Sequence, residues 1–312
     1  MTAITDVMPG RAGVYARLAK LDVWDYYLAL PLAWSIIGPA AWFQPSVLGM
    51  LALFGIGTVF VVASAVTFDD VTGFVDGSDN ANYGPDAPAR KLARKPLLTG
   101  EITVVEAVRF GWCAAALGAV FWALAALVAP FSLMWTVGLA TLCLVTAVQY
   151  SWGLKISYRG WQEVFLAAFG IGLVLCAVGF ATGTVSVFGI VQAVLFGFGP
   201  LMFGVYSNTR DAAGDAAVGR PTVAALATEN GNRLFIAGLT VAETALIVAA
   251  AGLGAAPWWF SLVMLPAIIL RVAQLHRGIG LGDLLGARTL GLRVHRLTTA
   301  LLIAVNLVGA WS

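Results

Sequence analysis

The sequence predicts an all-α protein, a polytopic membrane bundle of nine transmembrane helices made of two pseudo-repeated four-helix halves plus one. Three observations carry that reading. Hydrophobic residues make up 60% of the 312-residue chain and charged residues only 11%, with a mean hydropathy of +0.88. A soluble domain carries about a quarter charged residues, so this chain cannot cover its surface with polar groups and lipid must solvate much of it. Nine segments are apolar over roughly the 20 residues that a spanning helix needs. Finally, the charged residues are confined to alternate connections between those segments.

In chain order, residues 1–22 read as a retained cytoplasmic arm, because no compact apolar core there precedes a small-residue cleavage site. Residues 23–312 read as a single transmembrane domain with spans at about 24–43, 48–67, 103–128, 131–150, 163–183, 187–206, 234–254, 257–275 and 296–311. The links after the first, third, fifth and seventh spans are short and carry no Lys or Arg. All 18 Lys and Arg lie in or near the other connections, with Arg109 and Arg271 just inside span ends. The positive-inside rule makes that face cytoplasmic. The protein is then expected to be integral to the cytoplasmic membrane, with its N-terminus and active site on the cytoplasmic face and its C-terminus outside. The three cysteines (Cys113, Cys143 and Cys176) are odd in number and lie in apolar runs, so they read as buried spacers rather than a disulfide framework. His276 and His295 fall in the last polar connection and read as solvated loop residues.

Fifteen of the 16 Asp and Glu gather on or near the same face. The exception, Glu243, lies well inside a span. It is a functional hypothesis by default, against the blander reading of a protonated carboxyl hydrogen-bonded to a neighbouring helix. Two clusters stand out. The second span runs into Asp69, Asp70, Asp76 and Asp79, and the sixth into Asn208, Arg210, Asp211 and Asp215. If the helices continue through these stretches, Asp211 and Asp215 share one face at a spacing of four. Asp69 and Asp76, seven apart, share a stripe that Asn80 extends.

Carboxylates packed in this way repel unless a cation sits among them. Mg²⁺ suits such sites because it is held by one or two carboxylates plus substrate phosphates. Two facing clusters would hold a metal-bridged diphosphate with Asp69, Asp70, Asp76, Asp79, Asp211 and Asp215 as candidate metal ligands. Arg90, Lys91, Arg94 and Lys95 follow the first cluster, Lys155 and Arg159 lie between the fourth and fifth spans, and Arg210 and Arg220 flank the second cluster. Arg94, Lys95, Lys155, Arg159, Arg210 and Arg220, with Asn208, form the candidate diphosphate-binding set, stabilising a departing diphosphate electrostatically. The repetition of the pattern four spans apart, each time with a basic residue and proline downstream (Lys95-Pro96, Arg220-Pro221), suggests an internal repeat. Transporter repeats place their sites near the bilayer midplane, whereas these polar groups collect at one membrane end.

At these residues the chain resembles the UbiA superfamily of intramembrane prenyltransferases. Asn208-x-Arg210-Asp211-x-x-x-Asp215 with Gly219-Arg220-Pro221-Thr222 resembles its second aspartate motif. Asp76 to Asp79 followed by Lys95-Pro96-Leu97 and Gly100-Glu101-Ile102 resembles the region after its first motif. Tyr150-Ser151-x-Gly153 through Tyr158-Arg159-Gly160-x-x-Glu163 resembles the menaquinone-pathway branch. The resemblance implies a UbiA-like bundle open laterally to lipid, Mg²⁺ dependence, ionisation of an isoprenyl diphosphate, and Tyr150 near the reacting carbon. Asp69, Asp76, Asp211, Asp215 and Tyr150 are its candidate catalytic residues. The expected partners are an isoprenyl diphosphate, an aromatic or other small acceptor and the lipid bilayer, with no nucleic acid.

One departure bears on the reaction. Aligned on Gly77-Ser78-Asp79, the first motif has Asp69 in place of its Asn and Gly73 in place of its middle Asp; aligned instead on Asp76, it has Phe68 and Thr72 in place of the Asn and Asp, and either way one expected ligand is missing. A similar loss resembles the membrane-bound terpene cyclases of the superfamily, which ionise the same diphosphates and let the cation cyclise. Prenyl transfer is the leading expectation, and terpene cyclisation of a diphosphate such as geranylgeranyl diphosphate is the alternative.

Overall fold

A computed structural model describes residues 10–83 and 92–309; Arg90 and Lys91 lie outside the described residues. Among those residues the chain is entirely helical, with no strand. A short helix α1 (Arg11–Leu18) leads through a 3₁₀ turn at Asp25–Leu28 into α2 (Ala29–Ile37). The long helix α3 (Pro45–Val75) is followed by a single-turn helix α4 (Ser78–Asn82). Then come α5 (Val104–Val128), α6 (Met134–Val148), α7 (Gln162–Thr182), α8 (Val187–Ala217), α9 (Glu229–Gly252), α10 (Phe260–Leu275) and α11 (Leu284–Gly309).

Local chemistry sets several of these boundaries. Pro45 opens α3 at a position where its missing N–H is not needed. Thr103 and Glu106 form a capping box at the start of α5, and the Ser186 and Thr228 hydroxyls cap α8 and α9. At the other end of α3, Asp76 closes the helix and Gly77 adopts φ +82°, a left-handed conformation that glycine takes without steric cost. That reversal starts α4 in a new direction.

Among the described residues, seven helices are long and apolar enough to cross a membrane: α3, α5, α7, α8, α9, α11, and α10 together with its π-helical extension to Gly280. The other two expected spans are shorter. The fourth is the 15-residue helix α6, about 22 Å long at 1.5 Å per residue against a hydrocarbon core of roughly 30 Å. The first is divided between a 3₁₀ turn and the nine-residue α2, which stops at Gly38 with φ +89°. The second acidic cluster and Asp69 and Asp70 of the first lie on long helices, since α3 and α8 continue well past the apolar stretches, whereas Asp79 falls on α4. The α3 stripe nevertheless ends at Asp76, and Asn80 is exposed on α4 rather than extending it.

The expected connection 276–295 is another correction. It is mostly the first half of α11, because its apolar residues Ala287, Gly291 and Val294 recur at helical spacing and are buried. His295 is therefore no loop residue. It is fully buried, its Nε2 lies 3.2 Å from the Asp25 carbonyl, and its ring meets Phe196 at 4.8 Å. His276 stays exposed.

The core is apolar and centred on α3, α7 and α8. Phe54 stacks on Trp122 at 4.9 Å, and the Trp122 indole donates to the Phe54 carbonyl at 3.0 Å. Large apolar side chains such as Leu117, Val120, Leu124, Val241 and Leu262 stay exposed on the outer surface, as they do where lipid is the neighbour. Glu243 is buried with a partner. Arg271 on the neighbouring α10 donates to it from Nε at 2.5 Å and from Nη2 at 2.9 Å. The neighbouring-helix contact is the expected one, and the group that makes it is the Arg271 guanidinium.

Candidate active site

The C-terminal ends of α3 and α8 meet the starts of α7 and α11, and a polar cavity of about 310 Å³ opens among them. Four carboxylates line it: Asp69 from α3, Asp79 from α4, and Asp211 and Asp215 from α8. Six cations line it as well: Lys20, Arg94, Lys95, Arg210, Arg220 and Arg288.

The first wall is held by two ion-pair groups. Arg220 Nη2 donates to Asp69 Oδ1 at 2.5 Å, to Ser151 Oγ at 3.0 Å and to Ser157 Oγ at 3.2 Å. Ser151 also donates to Asp69 at 2.7 Å, and the Arg220 guanidinium lies over the rings of Tyr150 and Tyr158 at 6.0 and 5.0 Å. Lys95 Nζ sits between Asp79, at 2.7 and 2.8 Å, and Asp70, at 2.8 Å; Lys20 reaches the same Asp70 oxygen at 2.7 Å. Burial alone would lower the Lys95 pKa, but the carboxylates of Asp70 and Asp79 outweigh it and raise the value. Lys95 is thus a fixed positive charge.

The second wall is α8. Its helical continuation puts Asp211 and Asp215 one turn apart on the cavity side. Arg210 makes a two-pronged pair with Asp211 at 2.7 and 3.0 Å. Asn208 is held by Gln162 and Glu163, at 2.7 and 2.9 Å, which fixes α8 against α7. Among the described residues, the buried Asp215 carboxylate has no hydrogen-bond or ion-pair partner. Two guanidinium donors at the cavity, Nε of Arg94 and Nε of Arg220, are also buried without a partner.

Of the residues expected from the sequence, Asp69, Asp79, Arg94, Lys95, Tyr150, Asn208, Arg210, Asp211, Asp215 and Arg220 line one cavity. The remaining four do not. Asp70 turns behind the wall, where Lys20 and Lys95 neutralise it. Asp76 accepts a hydrogen bond from the Tyr158 hydroxyl and, at 3.0 Å, from the Ser78 amide. Lys155 is exposed, with its ammonium 5.2 Å from the Tyr158 ring, and Arg159 donates to the Leu154 carbonyl at 2.9 Å. Sequence reasoning passed over Lys20, Tyr83, Gln162, Ser207 and Arg288, which also line the cavity. Lys20 and Arg288 had one available signal: each is a cation close to an apolar helix on the charged face.

The donor set suits a hard cation that shares its shell with a ligand. No three His, Cys, Asp or Glu side chains among the described residues converge closely enough to hold a metal alone. Mg²⁺ asks for less, because one or two carboxylates suffice when phosphate and water oxygens complete the octahedron. The unpartnered Asp215, one helical turn from Asp211, provides such a starting pair.

The structure is thus a helical membrane bundle with carboxylates and cations gathered at one end. The sequence pattern of the UbiA prenyltransferase family matches residues 28–281, so the chain belongs to that family and is an integral membrane protein. Solved structures share the fold at low identity. A UbiA homologue from Archaeoglobus fulgidus bound to GPP and Mg²⁺ is 16% identical, with a TM-score of 0.68, over 96% of this chain and 100% of that one. One from Aeropyrum pernix K1 is 17% identical, with a TM-score of 0.64, over 89% and 97%. A digeranylgeranylglyceryl phosphate synthase is 14% identical, with a TM-score of 0.63, over 96% and 98%. No curated protein sequence matches.

Proposed function

We propose that this chain is a Mg²⁺-dependent intramembrane enzyme that ionises an isoprenyl diphosphate and transfers the prenyl group to an aromatic or other small acceptor, releasing diphosphate. The observation that carries this reading is the convergence of both acidic clusters, with their cations, on one cavity at the ends of α3 and α8. The structural relatives that hold GPP or DMAPP with Mg²⁺ support it.

In this reading Asp69, Asp79, Asp211 and Asp215 hold the metal, which supplies charge neutralisation for the diphosphate. Lys95, Arg220, Arg94 and Arg210 bind the diphosphate oxygens, and Asn208 orients α8. Lys95 pairs with Asp70 and Asp79 and Arg220 with Asp69, so the cations that would bind diphosphate stand beside carboxylates that would hold the metal. The face of Tyr150 lies beside Arg220, and its ring packs on Phe165 at 4.6 Å. These rings stabilise positive charge on the departing prenyl carbon through their π faces and exclude water from it. Beyond Phe165 an apolar cleft of about 350 Å³, lined by Leu139, Leu142, Val164 and Phe169 among others, offers room for a hydrocarbon chain. The charged end of the bundle, with the cavity and the N-terminus, faces the cytoplasm by the positive-inside rule.

Cyclisation of the prenyl cation is the second reading, and the presence of Gly73 where the motif carries a carboxylate favours it. Purified protein incubated with geranylgeranyl diphosphate and Mg²⁺, without acceptor, separates the two by GC–MS. A cyclic hydrocarbon or alcohol that is missing with Asp211→Ala establishes cyclisation. Turnover only after an acceptor is added establishes transfer.

A further inference from the structure

Arg288 belongs to neither acidic motif and to none of the basic segments beside them. It reaches the cavity because α11 packs closely on α8. Gly291 leaves no room for a side chain: a Cβ there would lie 3.1 Å from Phe203 Cβ and 2.4 Å from Gln274 Nε2. The buried Ala287, one turn earlier, keeps the same face narrow. Arg288 and Ser207, each about one turn from that Gly291–Phe203 contact, are thereby brought together, and Arg288 Nε donates to Ser207 Oγ at 2.9 Å.

That hydroxyl is its hydrogen-bond partner among the described residues, and no carboxylate pairs with it. Its charged neighbours are mostly of its own sign: Arg94 and Arg210 both repel it, with Asp211 opposing. Among the described residues, Arg94 pairs only with Asp22 at 3.1 Å and leaves its Nε buried and unsatisfied, while Arg210 is taken up by Asp211. Three guanidiniums therefore gather on one side of the cavity, and while Asp22 and Asp211 pair with Arg94 and Arg210, Arg288 has no carboxylate of its own among the described residues. Like charges crowded in a half-buried site are unfavourable unless an anion is shared between them. Guanidinium forks match phosphate oxygens in shape as well as charge.

We infer that Arg288, positioned by Ser207, is a direct diphosphate-binding residue that completes an arginine cluster with Arg94 and Arg210. This rests on the reading of the cavity as an isoprenyl-diphosphate site. It makes α11 part of substrate recognition, so that the last helix is recruited to a site otherwise built from α3, α4, α7 and α8.

The test is the binding of geranyl diphosphate and of inorganic diphosphate, each with Mg²⁺, to the full-length protein in detergent by calorimetry. Arg288→Ala should weaken both ligands by about tenfold to a hundredfold, the loss expected when a charge-assisted hydrogen bond is removed. Arg288→Lys, which keeps the charge but loses the fork, should recover part of that loss. Arg293→Ala removes the same charge from an exposed position on the same helix and should bind as the wild type does. Thermal melts of each variant identify any that fail to fold, and Arg288→Lys keeps the test open if Arg288→Ala is one of them. Wild type that binds while folded Arg288 variants bind equally well overturns this assignment alone. Folded wild type that binds neither ligand overturns the diphosphate reading itself.

Discussion

The Asp79 carboxylate occupies the space that a side chain on Gly73 would fill. Its carboxyl carbon lies 2.9 Å, and its two oxygens 3.1 Å, from the Cβ position of Gly73. The left-handed turn at Gly77 folds α4 back against the end of α3, and Lys95 clamps Asp79 in place. A carboxylate from the next helix thus fills the space beside α3 where Gly73 carries no side chain.

This relationship predicts a rescue. Gly73→Ala should displace Asp79 and reduce Mg²⁺-dependent turnover, because the added methyl is too close to a carboxyl group clamped by Lys95. Asp79→Ala should reduce it further. Gly73→Asp combined with Asp79→Ala should recover part of the activity, since the carboxylate then projects from α3 into the same space. Steady-state turnover of the three variants checks it, and a double variant as inactive as Asp79→Ala would refute it.

Asp211 and Asp215 should be the most sensitive positions of the second wall. Asp211→Asn and Asp215→Asn preserve shape and remove charge, and each should lower turnover by about a hundredfold or more. Chelation with EDTA should abolish wild-type turnover, and added Mg²⁺ should restore it. Thermal melts should change little for Asp215→Asn, whose carboxylate has no protein partner to lose among the described residues.

Arg220→Ala should cost both stability and activity. It strips Asp69, Ser151 and Ser157 of a shared donor, and lost hydrogen bonds to a charged group cost about 1.5–3 kcal/mol. A lower melting midpoint together with weaker diphosphate binding is the expected pair of results. Arg220→Lys should restore stability better than binding, since an ammonium cannot reproduce the fork.

Glu243 and Arg271 should matter for folding and not for chemistry. Neither lines the cavity, and each is almost fully buried against the other. Removing one partner, as in Glu243→Leu, should destabilise by about 3–5 kcal/mol, and replacing both with apolar residues should recover much of that. Turnover per folded molecule should stay unchanged in both variants, measured alongside thermal melts in detergent.

The sequence by itself determined the solvent and the chemistry. Scarce charge and long apolar segments require lipid, and charge confined to alternate links places the polar groups at one end of the bundle. Asp211 and Asp215 were legible as a pair because four residues along a helix is a local relationship that holds whatever the rest of the chain does. Asp69 with Arg220 and Asp79 over Gly73 were not legible as contacts, since they depend on a left-handed turn and on helices packing far apart in sequence. The same limit explains Asp70 and Asp76. Neighbours of cavity residues in sequence, they turn to Lys20, Lys95 and Tyr158 once the helix phase and the break at Asp76 are set. His295 and Arg288 were hidden for a related reason: a polar, glycine-containing segment reads as a loop until a neighbouring helix buries one face of it. Composition and local spacing act along the chain, so they survive in the sequence. Which carboxylate meets which cation is decided by packing across the chain, and only the folded bundle holds that information.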